Sequence, residues 1–294
     1  MSNISIPNLP SQTATTDLDI LVIVDSGETT TSKITRADFL SGVGGKIVNG
    51  SGTDSLCSVG LESQTTGTET LFINTDLSET SIVSGNNSIV IKTDAGNGGN
   101  QAGNDSVVIG AGNNNATGTA AVSIGGLNAE ALASYSVSIG GFVNKVHSGA
   151  DRSAIVSGYF NNIFGANGDY GFIGAGRSND IYQQYCSILS GEDNIIASTS
   201  GGWSGILAGQ ENEITTGSHG AIIAGSGNTI DADNVVILGG NGITGDNPNT
   251  TYVPQLVMTE YASLDFADDG AAALGGVVLG GLYHNAGALR VRVL

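Results

Sequence analysis

The 294 residues suffice for one elongated domain or about two compact ones at roughly 150 residues each. With 46 glycines but only 4 prolines, and no glycine at every third position, the chain is not collagen; with 39% hydrophobic residues it is not a simple disordered polymer. Nine basic against 27 acidic residues leave a formal charge of −18, the opposite of the cationic footprint that nucleic-acid binding requires.

Residues 1–45 open without the basic stretch and apolar run of a secretory signal, so none is expected. An apolar strand is predicted over Leu18 to Val24, then a polar turn at Asp25-Ser-Gly-Glu28 and a strand over Thr30 to Ile34. Thr35 and Asp38 mark a short helix start. Residues 46–84 are rich in Ser, Thr and Gly and read as a connector or as irregular early rungs of a repeat array. Cys57 and Cys186, the only cysteines, have no ligand-like neighbours and are read as unpaired packing residues.

Residues 85–245 repeat one phrase, Gly-x-x-Asn-x-Val/Ile. Its strict copies pair Gly141 with Asn144, Gly158 with Asn161, Gly176 with Asn179, Gly191 with Asn194, Gly209 with Asn212 and Gly225 with Asn228. Looser copies begin at Gly85, Gly110 and Gly125, and Gly240 closes the series without its Asn. The steps between strict copies are 17, 18, 15, 18 and 16 residues, far below the periods of helical repeats or propeller blades. Such a rung divides into three strands of about four residues, and rungs stacked at ~4.8 Å form a β-solenoid. The expected fold class is therefore all-β, a rod of 15–18-residue rungs with small terminal caps. Ten rungs would extend it by about 45 Å. Gly supplies corners of positive φ, Asn tolerates left-handed backbone and can bond to the Asn above and below, and Ile and Val fill a narrow interior. Residues 246–294 form a tip: a turn at Asp246-Asn-Pro-Asn249, then a hairpin from Leu282-Tyr283 through Asn285-Ala286-Gly287 to Leu289-Arg-Val-Arg-Val293. The longest apolar run, Gly270 to Tyr283, is short of the ~20 residues a membrane span needs, so no membrane insertion is expected.

These residues carry two resemblances. Asn104-Asp-Ser-Val-Val-Ile-Gly110 and Ala121-Val-Ser-Ile-Gly125 resemble the head repeats of trimeric autotransporter adhesins. Leu9-Pro-Ser-Gln, residues 19–24 and residues 33–39, with residues 265–277 and 281–293, resemble the terminal segments of bacteriophage tail-fibre and virion-fibre proteins. The resemblance implies a homotrimer located on the virion and released by host lysis. Its N-terminal residues 1–45 would attach to other virion proteins, and it would bind a host-surface glycan or protein.

Little else in the sequence points to chemistry. His147, His219 and His284 are scattered, and no serine elbow or phosphate loop accompanies them. Asp94 and Asp105 do not build a calcium nonapeptide, so no metal or other cofactor is expected, a structural calcium ion being the alternative. Glu192 and Asp193 occupy the variable corner of one rung and Glu211 that of the next. They are the candidates if the protein is a polysaccharide hydrolase working with paired carboxylates, and otherwise they keep a solvated corner charged. Phe142, Tyr159, Phe160 and Arg177 share the corner, and with Glu192 and Glu211 are expected to hold equivalent slots in five successive rungs. Exposed rings beside charges suit sugar stacking; aromatics and Arg equally suit a trimer interface. The reading is thus a structural and receptor-binding fibre without turnover, with a tailspike hydrolase and a purely structural head fibre as its rivals.

Overall fold

The structure, a computed structural model, describes residues 85–92, 99–110, 112–165, 167–197, 201–257 and 261–293, together with seven short strands between residues 20 and 83. It divides into two units, Met1–Tyr252 and Val253–Leu294. Strand Ile20–Ile23 pairs antiparallel with Ser32–Thr35, matching the two strands expected there. The expected helix after Thr35 lies outside the described residues.

The first unit is a β-solenoid. Each coil contributes one strand to a long sheet and one to a short sheet, and each strand pairs in parallel with its counterpart one coil away, except that Ile47–Asn49 at the edge of the long sheet pairs antiparallel with Leu56–Ser58. The long sheet has 14 strands and the short sheet 12. The parallel ladders run from Leu56–Ser58 to Thr251–Tyr252 in one and from Gln64–Thr65 to Thr244–Gly245 in the other. Coils therefore begin before the first loose copy of the repeat. Only two sides of a coil carry strands, mostly of two residues; the third side is closed by single bridging residues. That corrects the expectation of three four-residue strands, and the reason is length. Fifteen residues that turn two left-handed corners leave too few for a third extended run.

The repeat's two signature residues act together. Asn144, Asn161, Asn179, Asn194, Asn212 and Asn228 are fully buried and form a vertical ladder. Asn194 shows the unit. Its Nδ2 donates to Asn179 Oδ1 at 3.0 Å and to the Gly209 carbonyl at 2.9 Å. Its Oδ1 accepts from the backbone N–H of Asn212 at 3.1 Å and from Asn212 Nδ2 at 3.0 Å. Both amide protons and both acceptor positions are used, so an aspartate, which has no protons to donate, cannot substitute. The Asn is not the left-handed residue of the corner. That conformation falls to the residue before it, Val143, Phe160, Ser178, Asp193 or Glu211, with φ between 52° and 57°. The glycine two positions further back, Gly191 for instance at φ 117°, has the next coil's Gly209 carbonyl where a Cβ would sit.

The interior is filled by two columns of Ile or Val, one per sheet. Ile155, Ile173, Ile188 and Ile206 come from the long sheet and Ile163, Ile181, Ile196 and Ile214 from the short one, all fully buried. Each contributes about 2–3 kcal/mol of burial. Nearer the N-terminus the core narrows to Val90, Ala102, Val108, Ala116 and Ala131. The buried Ser123 and Ser138 lie between the two clusters. Across the strict copies, coil length varies in one place only. From the first residue of a long-sheet strand to the buried Asn there are seven positions, as from Phe172 to Asn179 or Ser187 to Asn194. From that Asn to the next strand the count ranges from eight (Asn179 to Ser187) to eleven (Asn161 to Phe172).

The second unit holds the expected hairpin, Leu282–Asn285 with Ala288–Val291, turned by Ala286 and Gly287 at φ 48° and 89°. Positive φ at both turn residues matches the twist of the strands. It also holds a short helix that the sequence does not announce, Asp269–Leu274; Asp268 caps it by accepting from the Ala271 N–H at 2.8 Å. Ala272, Val277 and Tyr283 form its small core.

Stability should depend on these ladders more than on any outward side chain. In guanidinium unfolding, Asn194→Ala is expected to lower stability by about 2–4 kcal/mol, because Asn179 Oδ1 and Asn212 lose buried partners. Gly191→Val should cost more, since it adds a forbidden φ and a collision with backbone. Unchanged midpoints in both would contradict the assignment of the corner.

Candidate functional site

Several outward columns run along the solenoid. On the third side the bridging column reads Leu127, Phe142, Tyr159, Arg177, Glu192, Gln210, Ser226 and Asn241. Phe142 and Tyr159 stack at 5.3 Å, 10° from parallel. Arg177 forms an ion pair with Glu192. Phe160 packs edgewise against Tyr159 at 4.6 Å and Phe142 at 6.1 Å. Tyr159 and Phe160 are 46% and 40% exposed.

The expectation that six residues hold equivalent slots is corrected here. Phe142, Tyr159, Arg177 and Glu192 do share one column. Phe160 and Glu211 belong one residue further on, in the left-handed column with Val143, Ser178 and Asp193. The partner above Glu192 is therefore Gln210, and Glu211 stands over Asp193. The difference is one residue, but it moves the side chain from the bridging position to the left-handed corner and so into a different column. Glu192 is committed to Arg177, while Asp193 and Glu211 face solvent from the corner, with Glu211 accepting from Gln210 Nε2 at 3.3 Å.

A longer stack is hidden in the sequence. Tyr135, Arg152, Tyr170, Tyr185, Trp203 and His219 occupy the other left-handed corner in six successive coils. Arg152 lies between Tyr135 and Tyr170, 5.6 and 5.4 Å from their ring centres. Tyr170–Tyr185, Tyr185–Trp203 and Trp203–His219 stack at 4.8, 5.2 and 5.4 Å. These spacings match the ~4.8 Å strand separation, so each ring covers its neighbour's face and leaves its edge outward. The corner's left-handed φ, between 56° and 63° at these positions, aims them alike. A signal was present: each stands two residues before a long-sheet strand. Counting forward from the repeat glycine hides it, because the variable corner lies between.

A third stack, His147–Phe164–Tyr182 at 4.6 and 4.2 Å, follows the short sheet. Burial and the neighbouring Lys145 ammonium hold His147 below the usual histidine range. Burial raises Asp180, although Asn162 and Tyr182 donate hydrogen bonds to it. Lys145 pairs with Glu130 at 2.6 Å on the same sheet.

Among the described residues no three His, Cys, Asp or Glu side chains converge as a metal ligand set, and no helix is long and apolar enough to cross a membrane. The Asp94 side of the glycine-rich loop lies outside the described residues; Asp105 accepts from Asn87 Nδ2 at 2.8 Å. In the tip, a depression of about 720 Å³ is lined by Asp269, Tyr283, Asn285, Arg290 and Arg292. Tyr283 donates to Asp269 at 2.6 Å, and Arg292 to the Val277 carbonyl at 2.6 Å. Comparison with family models, with curated proteins and with solved structures finds no match to the chain.

Cys186 belongs to the core and is unpaired, whereas the side chain of Cys57 lies outside the described residues. Burial pushes the Cys186 thiol up to about 11, which leaves on the order of one thiolate in a thousand at pH 8. The folded state holds that proton more tightly than the unfolded state does. Stability from this group is therefore complete below pH 9 and declines as pH rises towards 11. At pH 8 the unmodified chain and Cys186→Ser should release equal amounts of thiol to a disulfide reagent while folded. They should differ by one equivalent after unfolding, and a difference before unfolding would show the thiol to be open.

Proposed function

We propose that the protein is a structural and adhesive fibre of a bacteriophage virion. In this reading it assembles as a homotrimer, attaches to other virion proteins through residues 1–45, and binds a host-surface glycan or protein without turnover. What carries the reading is the solenoid itself: stacked coils that repeat one outward side chain every ~4.8 Å and so display ring edges and polar groups along a stiff support. Aromatic edges and charged groups at such spacing are suited to successive sugar units. Binding without hydrolysis is favoured over a depolymerase by the state of the candidate carboxylates. Glu192 is held by Arg177, and Asp193 and Glu211 stand on an outward corner instead of facing each other across a cleft. The virion location and the trimer rest on the resemblance of the terminal segments to phage-fibre sequences.

The test is adsorption. Tyr159→Ala with Phe160→Ala should abolish binding to host cells or their polysaccharide while leaving assembly and far-ultraviolet dichroism unchanged. Normal adsorption by the intact variant would move the receptor site to another column or to the tip. New reducing ends on incubation with host polysaccharide would replace the binding reading with the hydrolase.

A further inference from the structure

The outer face of the long sheet differs from the other outward faces of the solenoid. Each coil presents two outward residues there, one on either side of the buried Ile, Val or Ser. In the ten coils from residue 89 to residue 238 none of these twenty positions carries a charge. One column is Ile, Val or Leu in nine coils, with Gly174 in the tenth; Ile139, Val156, Leu189, Leu207 and Leu238 are its most exposed members, Leu189 at 48%. The other column holds small or apolar residues, including the exposed Phe172. The short sheet has the same backbone and the same alternation, yet its outward column runs Asn115, Glu130, Lys145, Asn162, Asp180, Ile195 and Glu213, with Ile195 the one apolar member among them. Composition alone therefore does not explain the apolar face.

An apolar strip of this size on the surface of a folded chain marks a contact surface. We propose that it is the interface between parallel copies of this chain, packed coil against coil in register. The inference rests on the proposed self-assembly and adds which face performs it. Three features select a second copy as the occupant. The side chains project every ~4.8 Å over about 45 Å, a comb that only another stack of the same rise meets along its whole length. A net charge of −18 makes any charged face self-repelling, and this face brings no carboxylate against another. At about 45 by 10 Å the strip projects roughly 450 Å², and its side-chain relief raises the buried area towards the ~800 Å² per partner of stable interfaces. Parallel packing around a rotation axis sets each coil at the level of the same coil in its neighbour, so a central residue of the strip such as Leu207 comes close to its own equivalent beside the axis. The Phe142–Tyr159 column then remains outside the interface, free for a ligand.

Leu189→Asp with Leu207→Asp places carboxylates at the centre of the strip. In sedimentation equilibrium the unmodified chain should run as an assembly and the variant as a 29.5 kDa monomer with an unchanged β-type dichroism spectrum. A variant that still assembles overturns this face and leaves self-assembly standing. An unmodified chain that is monomeric at micromolar concentration overturns both. Should the double variant fold poorly, single cysteines decide. Leu207→Cys should cross-link to itself on mild oxidation beyond the level of the unmodified chain, and Glu213→Cys on the short sheet should not. The reverse pattern overturns the proposal.

Discussion

The buried asparagine ladder is the constraint on which the solenoid depends. The Asn194 amide commits its full hydrogen-bonding capacity to the coils above and below, and a buried amide that lost such a partner would be left as an unsatisfied polar group. Geometry follows from that saturation. The next coil's corner carbonyl must approach the amide closely, so the corner residue is glycine; the residue before the Asn must turn left-handed to aim the amide inward. In the strict copies the seven positions between strand and Asn do not vary, because an insertion there would lift the amide off the ladder. Insertions collect instead at the opposite corner, where loops add residues without disturbing a buried bond.

Stacking then converts single residues into stripes. Once coils repeat at one rise, a side chain at a given slot meets its equivalents above and below, and its chemistry is either reinforced or opposed along the column. Rings reinforce, as in the Tyr170–Tyr185–Trp203–His219 stack; unlike charges do so too, as Arg177 with Glu192 and Lys145 with Glu130. Both left-handed corners carry bulky residues at positive φ, Phe160 and Trp203 among them, a conformation that costs energy in isolation. Ring stacking and the backbone hydrogen bonds between successive corners, such as Phe160 N–H to the Phe142 carbonyl at 3.0 Å, offset that cost. A large acidic excess is accommodated in the same way: the charges are spread over corners and the short sheet, and the outward positions that flank the buried column of the long sheet from residue 89 to residue 238 are left free of them.

The architecture is legible in the sequence because its determinants are local and recur. A glycine, an asparagine three positions on and a β-branched residue two beyond that define a corner, a ladder and a core contact within one short window. The C-terminal hairpin is legible for the same reason, through its Asn-Ala-Gly turn. The capped helix at Asp269 is not, since six residues of Asp, Gly, Ala and Leu carry no helical periodicity; a single capping carboxylate and packing of Ala272 on Tyr283 decide it. Two members of the asparagine ladder, Asn100 and Asn114, are also hidden, because the local chain departs from the Gly-x-x-Asn spacing while the fold still delivers a buried amide to the same slot.

The sequence by itself determined the period, the identity of the corner and ladder residues, and therefore the all-β solenoid. Only the tertiary structure decided which side chains stand over one another. Column membership depends on counting from the correct anchor across a corner of variable length. Treating the two positions after the repeat glycine as a single corner placed Glu211 over Glu192, whereas the stacked coils keep those positions apart and place Gln210 there. It also decided which outward face is apolar. In strands of two or three residues a shift of one position exchanges inside for outside, and the hydrogen-bonded register between coils is what holds Ile188 in the core and Leu189 at the surface.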